Sequence, residues 1–405
     1  MQIREDFPAL LASIVRAAAS VGHLKMCCAS GRSARIRDAE HRKTQTEQLI
    51  YLCYSPARFA EERGCSAQLG NARETGSAWI CVTMIDDPLL LNDWHVVAQS
   101  TAMQTGEVGP ARLLGQDLVL WRSNAGLCAW QDLCLHRGAK LSSGRVERDC
   151  LVCPYHGWNY NDDGQCVRIP AHPSMTPPAR ARATAYRVAE KYGLIWACLG
   201  EPKTDVPCFA EWEDAAFRKV LAGPYLFKAQ GPRIIENFLD VGHFPFVHAG
   251  FLGDPGHTEV GDYEVETTSD GIVARDIGVW QPDPDGTGQS AEVKYTYRVL
   301  RPLTAYFQKS YQDQKFSIFS AVTPVDERES LAWLILALNY ASHTSDEQLR
   351  AFQDVVSRQD IPIVESQRPE LLPLDLQAEL HLRSDRTAIA YRKWLAKIGL
   401  KYGTA

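Results

Sequence analysis

Four residues stand out for the chemistry they could do together. Cys134-x-His136 is followed, after sixteen intervening residues, by Cys153-Pro154-Tyr155-His156, which puts two Cys/His pairs on what should be neighbouring loops. Two thiolates and two imidazoles suit a Cys2His2 zinc site. They also suit a [2Fe–2S] cluster in which the thiolates hold one iron and the imidazoles the other. That arrangement raises the reduction potential to about −150 to +300 mV and gives a centre that accepts one electron and hands it on. A second string, Glu236-Asn237-Phe238-Leu239-Asp240-Val241-Gly242-His243-Phe244-Pro245-Phe246-Val247-His248, gathers polar groups in an apolar setting. On a helix Asn237, Asp240 and His243 fall at three-residue steps and share one face, with Pro245 expected to distort or end the helix before His248. Taken alone, two histidines five apart are more often structural than metal-binding.

The elements that must position these groups follow from length and pattern. A chain of 405 residues exceeds the usual ceiling for one hydrophobic core, so two domains and an extension are expected, divided as 1–83, 84–205 and 206–405. Over 93–200, short β-rich runs such as 117–122 and 192–198 alternate with turn residues and read as a small all-β domain. A Pro- and Arg-rich stretch, 168–187, interrupts it as a solvated surface loop or a docking segment for a redox partner, and 201–207 reads as the linker. The remainder mixes strands (271–280, 292–300, 316–323, 330–339) with helices, the pattern of an α+β domain. Thr344 and Glu347 have capping-box spacing, and Leu349, Phe352, Val355 and Val356 carry a helical period into the Asp360 region. A last helix over 385–398 has Lys393 and Lys397 near its C-terminus and Gly399 as its stop.

Composition narrows the classes. With 43 basic against 49 acidic residues, nothing points to nucleic acid or an anionic membrane. The longest late apolar run, 331–340, is too short to span a bilayer. Twelve cysteines are scattered, and the early apolar stretch, 8–22, is interrupted by Arg16 and preceded by Glu5 and Asp6, which is wrong for a secretory signal. A reducing, cytoplasmic setting is expected. Residues 1–83 carry Cys27, Cys28, Cys53, Cys65 and Cys81 and a polar stretch at 32–48 without any Cys-x-x-Cys or Cys-x-x-His pair. They read as an extension of unknown role, poorly ordered or the result of a start placed too early. Cys128, Cys150 and Cys166 read as buried small hydrophobes, and His257 as a loop residue. Gly286-Thr287-Gly288-Gln289-Ser290-Ala291 fits a dinucleotide fingerprint but lacks the preceding strand and following helix, so it reads as a hairpin loop. Reducing equivalents must then come from a separate protein.

The surroundings of the ligands carry a resemblance. His136-Arg137-Gly138 and Cys153-Pro154-Tyr155-His156-Gly157-Trp158 closely resemble the Rieske loops of ring-hydroxylating oxygenases. Respiratory-complex Rieske proteins add two cysteines that link the loops. Ala139 and Tyr155 stand at those positions here, which favours the oxygenase and ferredoxin branch. The 236–248 string resembles the iron-binding helix of the same oxygenases, whose iron sits in a two-histidine, one-carboxylate triad with open positions. The resemblance assigns His243 and His248 as ligands. Through Gln359-Asp360 and Glu365-Ser366-Gln367 it assigns Asp360 as the carboxylate, with Asp354 and Glu365 as competitors and Pro362 as an awkward helical neighbour. It further implies that Asp240 bridges His156 of one subunit to His243 of the next in a homotrimer, and that Asn237 lines the iron pocket.

The resemblance covers roughly residues 85–400. Its end, from Leu372-Pro373-Leu374-Asp375 through Ala388, Tyr391 and Arg392, is similar to the demethylase and phthalate-oxygenase side of the family, and the Cys-x-x-Cys of chlorophyll-breakdown members is missing. The implied fold is an all-β Rieske domain followed by an α+β helix-grip (START-like) domain with an antiparallel sheet. The implied cofactors are the [2Fe–2S] cluster and a mononuclear Fe(II). The implied activity is that of a terminal oxygenase. An NAD(P)H-dependent flavin/iron–sulfur reductase would supply it, directly or through a ferredoxin. It would use O2 on a small aromatic or heteroaromatic substrate, by monooxygenation with demethylation in preference to ring hydroxylation. The alternative is a Rieske electron carrier or binding protein with an inactive second domain.

Overall fold

The computed structural model describes residues 84–269 and 271–405; the 1–83 extension, with its five cysteines and its polar stretch, lies outside the described residues. A short helix, α1 (Pro88–Leu91), leads into ten strands: β1 (His95–Gln99), β2 (Val108–Leu113), β3 (Gln116–Arg122), β4 (Leu127–Gln131), β5 (Arg145–Glu147), β6 (Cys150–Val152), β7 (Asn159–Tyr160), β8 (Cys166–Arg168), β9 (Ala185–Lys191) and β10 (Leu194–Cys198). They form an antiparallel sheet in the order β1-β10-β9-β4-β3-β2 and a smaller one in the order β5-β6-β7-β8. The two Cys/His loops lie between β4 and β5 and between β6 and β7. Trp121, Trp130 and Tyr160 back them, with ring centroids 5.0 and 6.4 Å apart along that series, in one core with Cys134 and Cys153. The 168–187 stretch runs from the end of β8 into β9, mostly exposed over 170–180, with Ala181 and Ala183 buried.

The second half adds α2 (Ala210–Glu213), β11 (Arg218–Phe227), α3 (Gly231–Leu239), α4 (Phe244–Val247), β12 (Glu264–Thr267), β13 (Ile272–Gln281), β14 (Ala291–Arg301), β15 (Thr304–Tyr311), β16 (Gln314–Pro324), β17 (Ser330–Leu338), α5 (Asp346–Ser366) and α6 (Arg386–Ile398). Its seven strands pair antiparallel in the order β11-β17-β16-β15-β14-β13-β12. Residues 286–290 lie in the connection between β13 and β14, a hairpin loop as expected, and Ala291 opens β14.

Side-chain alternation explains what each face of this sheet does. On β17, Ala332, Leu334 and Leu336 join the core that holds α3, while Trp333, Ile335 and Ala337 join a core with Val96, Trp196 and Phe209. On β16, Ile318 and Val322 take the first side and Phe319 and Ala321 the second. The central strands are therefore buried on both faces, one toward α3 and one toward the β-domain. Backbone bonds lock the second contact: Leu114 and Gly115 N–H donate to the carbonyls of Pro324 and Val325, each at 2.8 Å, and Thr323 Oγ1 donates to the Val96 carbonyl at 2.6 Å. Asp87, ahead of β1, accepts from the backbone N–H of Lys401 and Tyr402 at 2.8 and 3.0 Å, tying the start of the described chain to its end.

Three expectations shift. The capping box of α5 is Ser345 with Gln348, each side chain bonded to the other's backbone N–H, one residue beyond the expected Thr344 and Glu347. The helix presents Gln353, Val356, Ser357 and Val364 inward and leaves Phe352 exposed, because the inner face must also carry the polar site residues. Cys166 is buried, whereas Cys128 and Cys150 are half-buried; burial still pushes the Cys128 thiol up to about 12. α6 spans the expected residues and stops at Gly399, whose φ of +81° closes the helix in the left-handed region. Among the described residues no helix is long and apolar enough to cross a membrane.

Candidate metal centres

Two loops of matching construction carry the first set of ligands. Gly138 N–H donates to the Cys134 carbonyl at 2.8 Å, and Gly157 N–H donates to the Cys153 carbonyl at 3.1 Å. Cys134 N–H then reaches the Ala139 carbonyl and Cys153 N–H the Trp158 carbonyl, at 2.8 and 2.9 Å. Both turns need a positive φ, +70° at Gly138 and +67° at Gly157, a conformation that costs any other L-residue roughly 1–2 kcal/mol. The loops set both cysteines in the buried floor and both histidines at the rim, with His136 Nδ1 facing His156 Nδ1 at 3.1 Å. Trp158 stacks on His136 at 4.7 Å, and Tyr155 lies against His156.

The donor chemistry fits a mixed-ligand cluster. Burial pushes the Cys134 thiol up, so a thiolate there needs a metal as its partner. Partial desolvation, the facing His156 and the Arg137 guanidinium hold His136 below the ordinary imidazole value, which leaves it neutral and able to ligate.

The second set arises where a helix breaks. α3 ends at Leu239, Asp240 is extended (φ −89°, ψ 136°), and His243 is the N-cap of α4. The single helical face expected for Asn237, Asp240 and His243 is therefore not formed. The cause is local: Asp240 Oδ1 accepts the Gly242 N–H at 2.8 Å and folds the chain back, and Pro245 sits in the first turn of α4, where a missing N–H costs nothing. Pro245 begins a helix here instead of ending one. His248 caps that turn from the far side, so the two imidazoles converge with Nε2 atoms 3.2 Å apart. α5 brings in Asp360, whose Oδ1 lies 3.5 Å from His243 Nε2 and 3.1 Å from His248 Nε2. Of the competing carboxylates, Asp354 accepts from Tyr225 and Glu365 from the Lys228 backbone, both away from this point. Pro362 lies within α5 without ending it. Asn237 is half-buried one turn before the break, and His257 is a loop residue stacked on Trp280 at 3.9 Å.

Hydrogen bonding sets the tautomers. His243 Nδ1 donates to Asp240 Oδ2 at 2.9 Å, and His248 Nδ1 donates to Gln359 Oε1 at 2.8 Å. Each Nε2 is left as a lone pair aimed at the same point as a carboxylate oxygen. Among the described residues, the buried Asp360 Oδ1 has no hydrogen-bond partner of its own. Two lone pairs and an anionic oxygen within 4.8 Å of one another repel unless a cation lies between them, and two imidazoles with one carboxylate suit Fe(II). Burial works against the charge of Asp360, but the two imidazoles outweigh it and hold the carboxyl below its ordinary range.

Two features escaped the sequence reading. Gln359 was visible only as the neighbour of Asp360, and its contact to His248 is the second orienting bond of the site. Behind α3, Arg392 of α6 makes a two-pronged bond to Glu236 at 2.6 and 2.8 Å and also reaches Glu379, which pairs with Arg233 at 2.8 Å. The signal available for this network was a set of charged residues whose long-range pairs lie 146 and 156 positions apart, which fixes no partner.

Comparison with known proteins agrees with both centres. Residues 93–187 match the Rieske [2Fe-2S] domain, and residues 227–400 match the vanillate O-demethylase oxygenase C-terminal domain. The chain is 32% identical over 317 residues to methylxanthine N1-demethylase NdmA of Pseudomonas putida, covering 75% of this chain and 88% of that protein. It is 30% identical to methylxanthine N3-demethylase NdmB of the same organism, covering 78% and 91%. The solved structure of Pseudomonas putida CBB5 NdmA with caffeine superimposes with a TM-score of 0.67 at 30% identity, over 76% of this chain and 91% of that one. The chain belongs to the Rieske non-haem iron oxygenases, on their demethylase side. It is an oxygenase component and an oxidoreductase that uses O2, with a [2Fe–2S] cluster and a mononuclear iron as its cofactors.

Proposed function

We propose that this oxygenase removes a methyl group from a small aromatic or heteroaromatic substrate by monooxygenation. The observation that carries the reading is the convergence of His243 Nε2, His248 Nε2 and Asp360 Oδ1 on one point, in a chain similar to N-demethylases. In this reading Cys134 and Cys153 hold one cluster iron and His136 and His156 the other, while His243, His248 and Asp360 hold the mononuclear iron. When bound, the cluster supplies one-electron transfer and the mononuclear iron supplies dioxygen activation. The protein's own residues do the rest. Asp240 and Gln359 keep each imidazole's proton on Nδ1, and Asn237 lines the pocket.

The same reading makes the enzyme a homotrimer in which Asp240 also accepts from His156 of the partner subunit. Its support is that Asp240, though bonded to His243, keeps 38% of its side chain exposed. An NAD(P)H-dependent flavin/iron–sulfur reductase, directly or through a ferredoxin, is the electron source. The setting is cytoplasmic, and the functional units are 84–205 and 206–405.

The test is a panel of methylated and unmethylated aromatics with a surrogate reductase, scoring formaldehyde release against ring diols. Formaldehyde in step with oxygen uptake is expected. Diol formation without formaldehyde would move the enzyme to ring hydroxylation.

A further inference from the structure

α4 is a single turn, and the two converging histidines are its caps, His243 before it and His248 after it. Whatever fixes this turn therefore fixes their separation. The chain leaving His248 folds straight back. Phe251 and Leu252 N–H donate to the His248 carbonyl at 2.9 and 3.0 Å, and Gly250 N–H donates to the Gly253 carbonyl at 2.8 Å. Gly253, buried, is thereby laid against the backbone at the start of α4. A Cβ added to it would lie 2.7 Å from the Pro245 nitrogen, 2.8 Å from the Phe244 carbonyl carbon and 2.9 Å from the Pro245 Cα. The φ of Gly253 is not positive, so glycine is needed here for space and not for a left-handed turn.

Both sides of this contact are held. Phe244 is buried, with its ring 6.0 Å from that of Tyr295. On the other side, the Leu252 carbonyl accepts from Gln281 Nε2 at 3.4 Å. Gln281, at the end of β13 and 1% exposed, also donates to Tyr295 Oη at 3.0 Å and accepts from Lys309 Nζ at 3.2 Å. Backbone atoms cannot swing aside as the tip of a side chain can. To bring 2.7 Å to ordinary contact, about 3.4 Å, one side must retreat by about 0.7 Å. If the start of α4 retreats, His243 goes with it; if the turn retreats, it pulls on the His248 carbonyl. Either movement shifts one imidazole against the other by more than the roughly 0.5 Å within which a binding constellation must be held.

We propose that Gly253 is a positioning residue of the iron centre: its bare Cα lets the turn close onto α4 and so fixes the spacing of His243 and His248, with Gln281 as the buttress behind the turn. The inference rests on His243, His248 and Asp360 as the iron ligands and extends the centre to a residue that touches neither metal nor substrate.

The experiment uses the full chain with its cluster intact and its mononuclear iron removed. It is titrated anaerobically with Fe(II) against a competing chelator, then loaded with iron and nitric oxide for electron paramagnetic resonance. Gly253→Ala is compared with Gly250→Ala in the same turn. Gly250 is exposed, and no atom beyond its chain neighbours lies within 4 Å of an added Cβ, but its φ of +81° makes alanine strained there. Gly253→Ala should bind Fe(II) about tenfold more weakly or worse, with an unchanged cluster absorption spectrum and an altered rhombicity of the Fe(II)–nitric oxide signal. Gly250→Ala should lower the melting temperature and leave affinity and signal as in the wild type. A Gly253→Ala protein within about threefold of wild type and with the wild-type signal overturns the proposal. So does an equal loss in Gly250→Ala, which general destabilisation would explain. Should Gly253→Ala fail to accumulate as folded protein, Gln281→Met decides, since it frees the turn from behind without adding bulk at the contact. It should weaken Fe(II) by about threefold with a change in the same signal; wild-type affinity and signal overturn the proposal. Asp360→Ala with wild-type affinity overturns the ligand set and this inference together. Iron lost from Asp360→Ala but held normally by Gly253→Ala overturns the inference alone.

Discussion

Replacing Gln359 by leucine separates the metal-holding role of the site from its folding. In the wild type, His248 is 1% exposed at its side chain, and its Nδ1 proton goes to Gln359 Oε1 at 2.8 Å, which leaves Nε2 free for iron. Gln359→Leu removes that acceptor. With iron bound, the Nδ1–H would be buried and unpaired, a cost of about 1–3 kcal/mol. Without iron, the ring escapes the cost by moving its proton to Nε2 and donating to Asp360 Oδ1, 3.1 Å away. The penalty therefore falls on the iron-bound state alone. Iron affinity should drop by roughly 10- to 100-fold, the range seen when outer hydrogen bonds to metal-ligating histidines are removed. The metal-free melting temperature should stay within a degree or two, and Gln359→Glu should restore tight binding. The assay is anaerobic Fe(II) titration against a competing chelator, beside a thermal melt. A Gln359→Leu protein that binds iron within threefold of wild type would refute the reasoning, since His248 would then be oriented by something other than this bond.

Four further outcomes are expected. Asp360→Ala should hold two irons per chain instead of three with an unaltered cluster absorption spectrum; iron analysis still giving three would shift the ligand role to Asp354 or Glu365. Asp240→Asn should retain both metals but slow cluster reoxidation with substrate and oxygen in rapid mixing, and wild-type kinetics would remove its bridging role. In the metal-free protein, burial pulls His243 down, but the carboxylates of Asp240 and Asp360 win and hold it up at about 9. Below that pH, Fe(II) must displace a proton, so its binding constant should climb by about one log unit per pH unit between roughly 6.5 and 8, and a flat profile would contradict this. Arg392→Met leaves the Glu236 carboxylate buried without its main partner, a loss of about 3–5 kcal/mol that a lowered urea midpoint would register.

What could be read from the sequence was whatever chemistry is written within one short window. Cys134 to Gly138 and Cys153 to Trp158 each contain their ligands and the glycine their turn requires, so type and spacing carried the expectation of a cluster. Four of the seven strands of the second domain were legible for the same reason: Val293, Tyr295, Tyr297 and Val299 alternate with polar neighbours, and the observed β14 extends the expected run by one residue at each end. β11, β12 and β15 were not anticipated. The break at Asp240 was not legible. Periodicity sees Asn237, Asp240 and His243 at helical steps, but the side-chain bond from Asp240 to the Gly242 backbone competes locally and wins. The cap of α5 slipped by one residue because Thr344 and Ser345 offer the same chemistry to Glu347 and Gln348. Gln359 and the Arg392–Glu236–Glu379 network were out of reach for a different cause. Their meaning lies in contacts across more than a hundred residues, which no local pattern encodes.

The lock between the β-domain and the outer face of the seven-stranded sheet has a kinetic meaning. Many electron carriers work by swinging a redox head on a tether between donor and acceptor. Here the head is bolted down: the Leu114, Gly115 and Thr323 bonds, a shared apolar layer and the Asp87 clasp onto residues 401 and 402 leave no hinge within the described residues. The spacing between cluster and iron within one chain is thus set once, when the chain folds. Turnover must be throttled by redox potential, by substrate occupancy or by how whole subunits meet, since domain motion within one subunit is not available as a throttle.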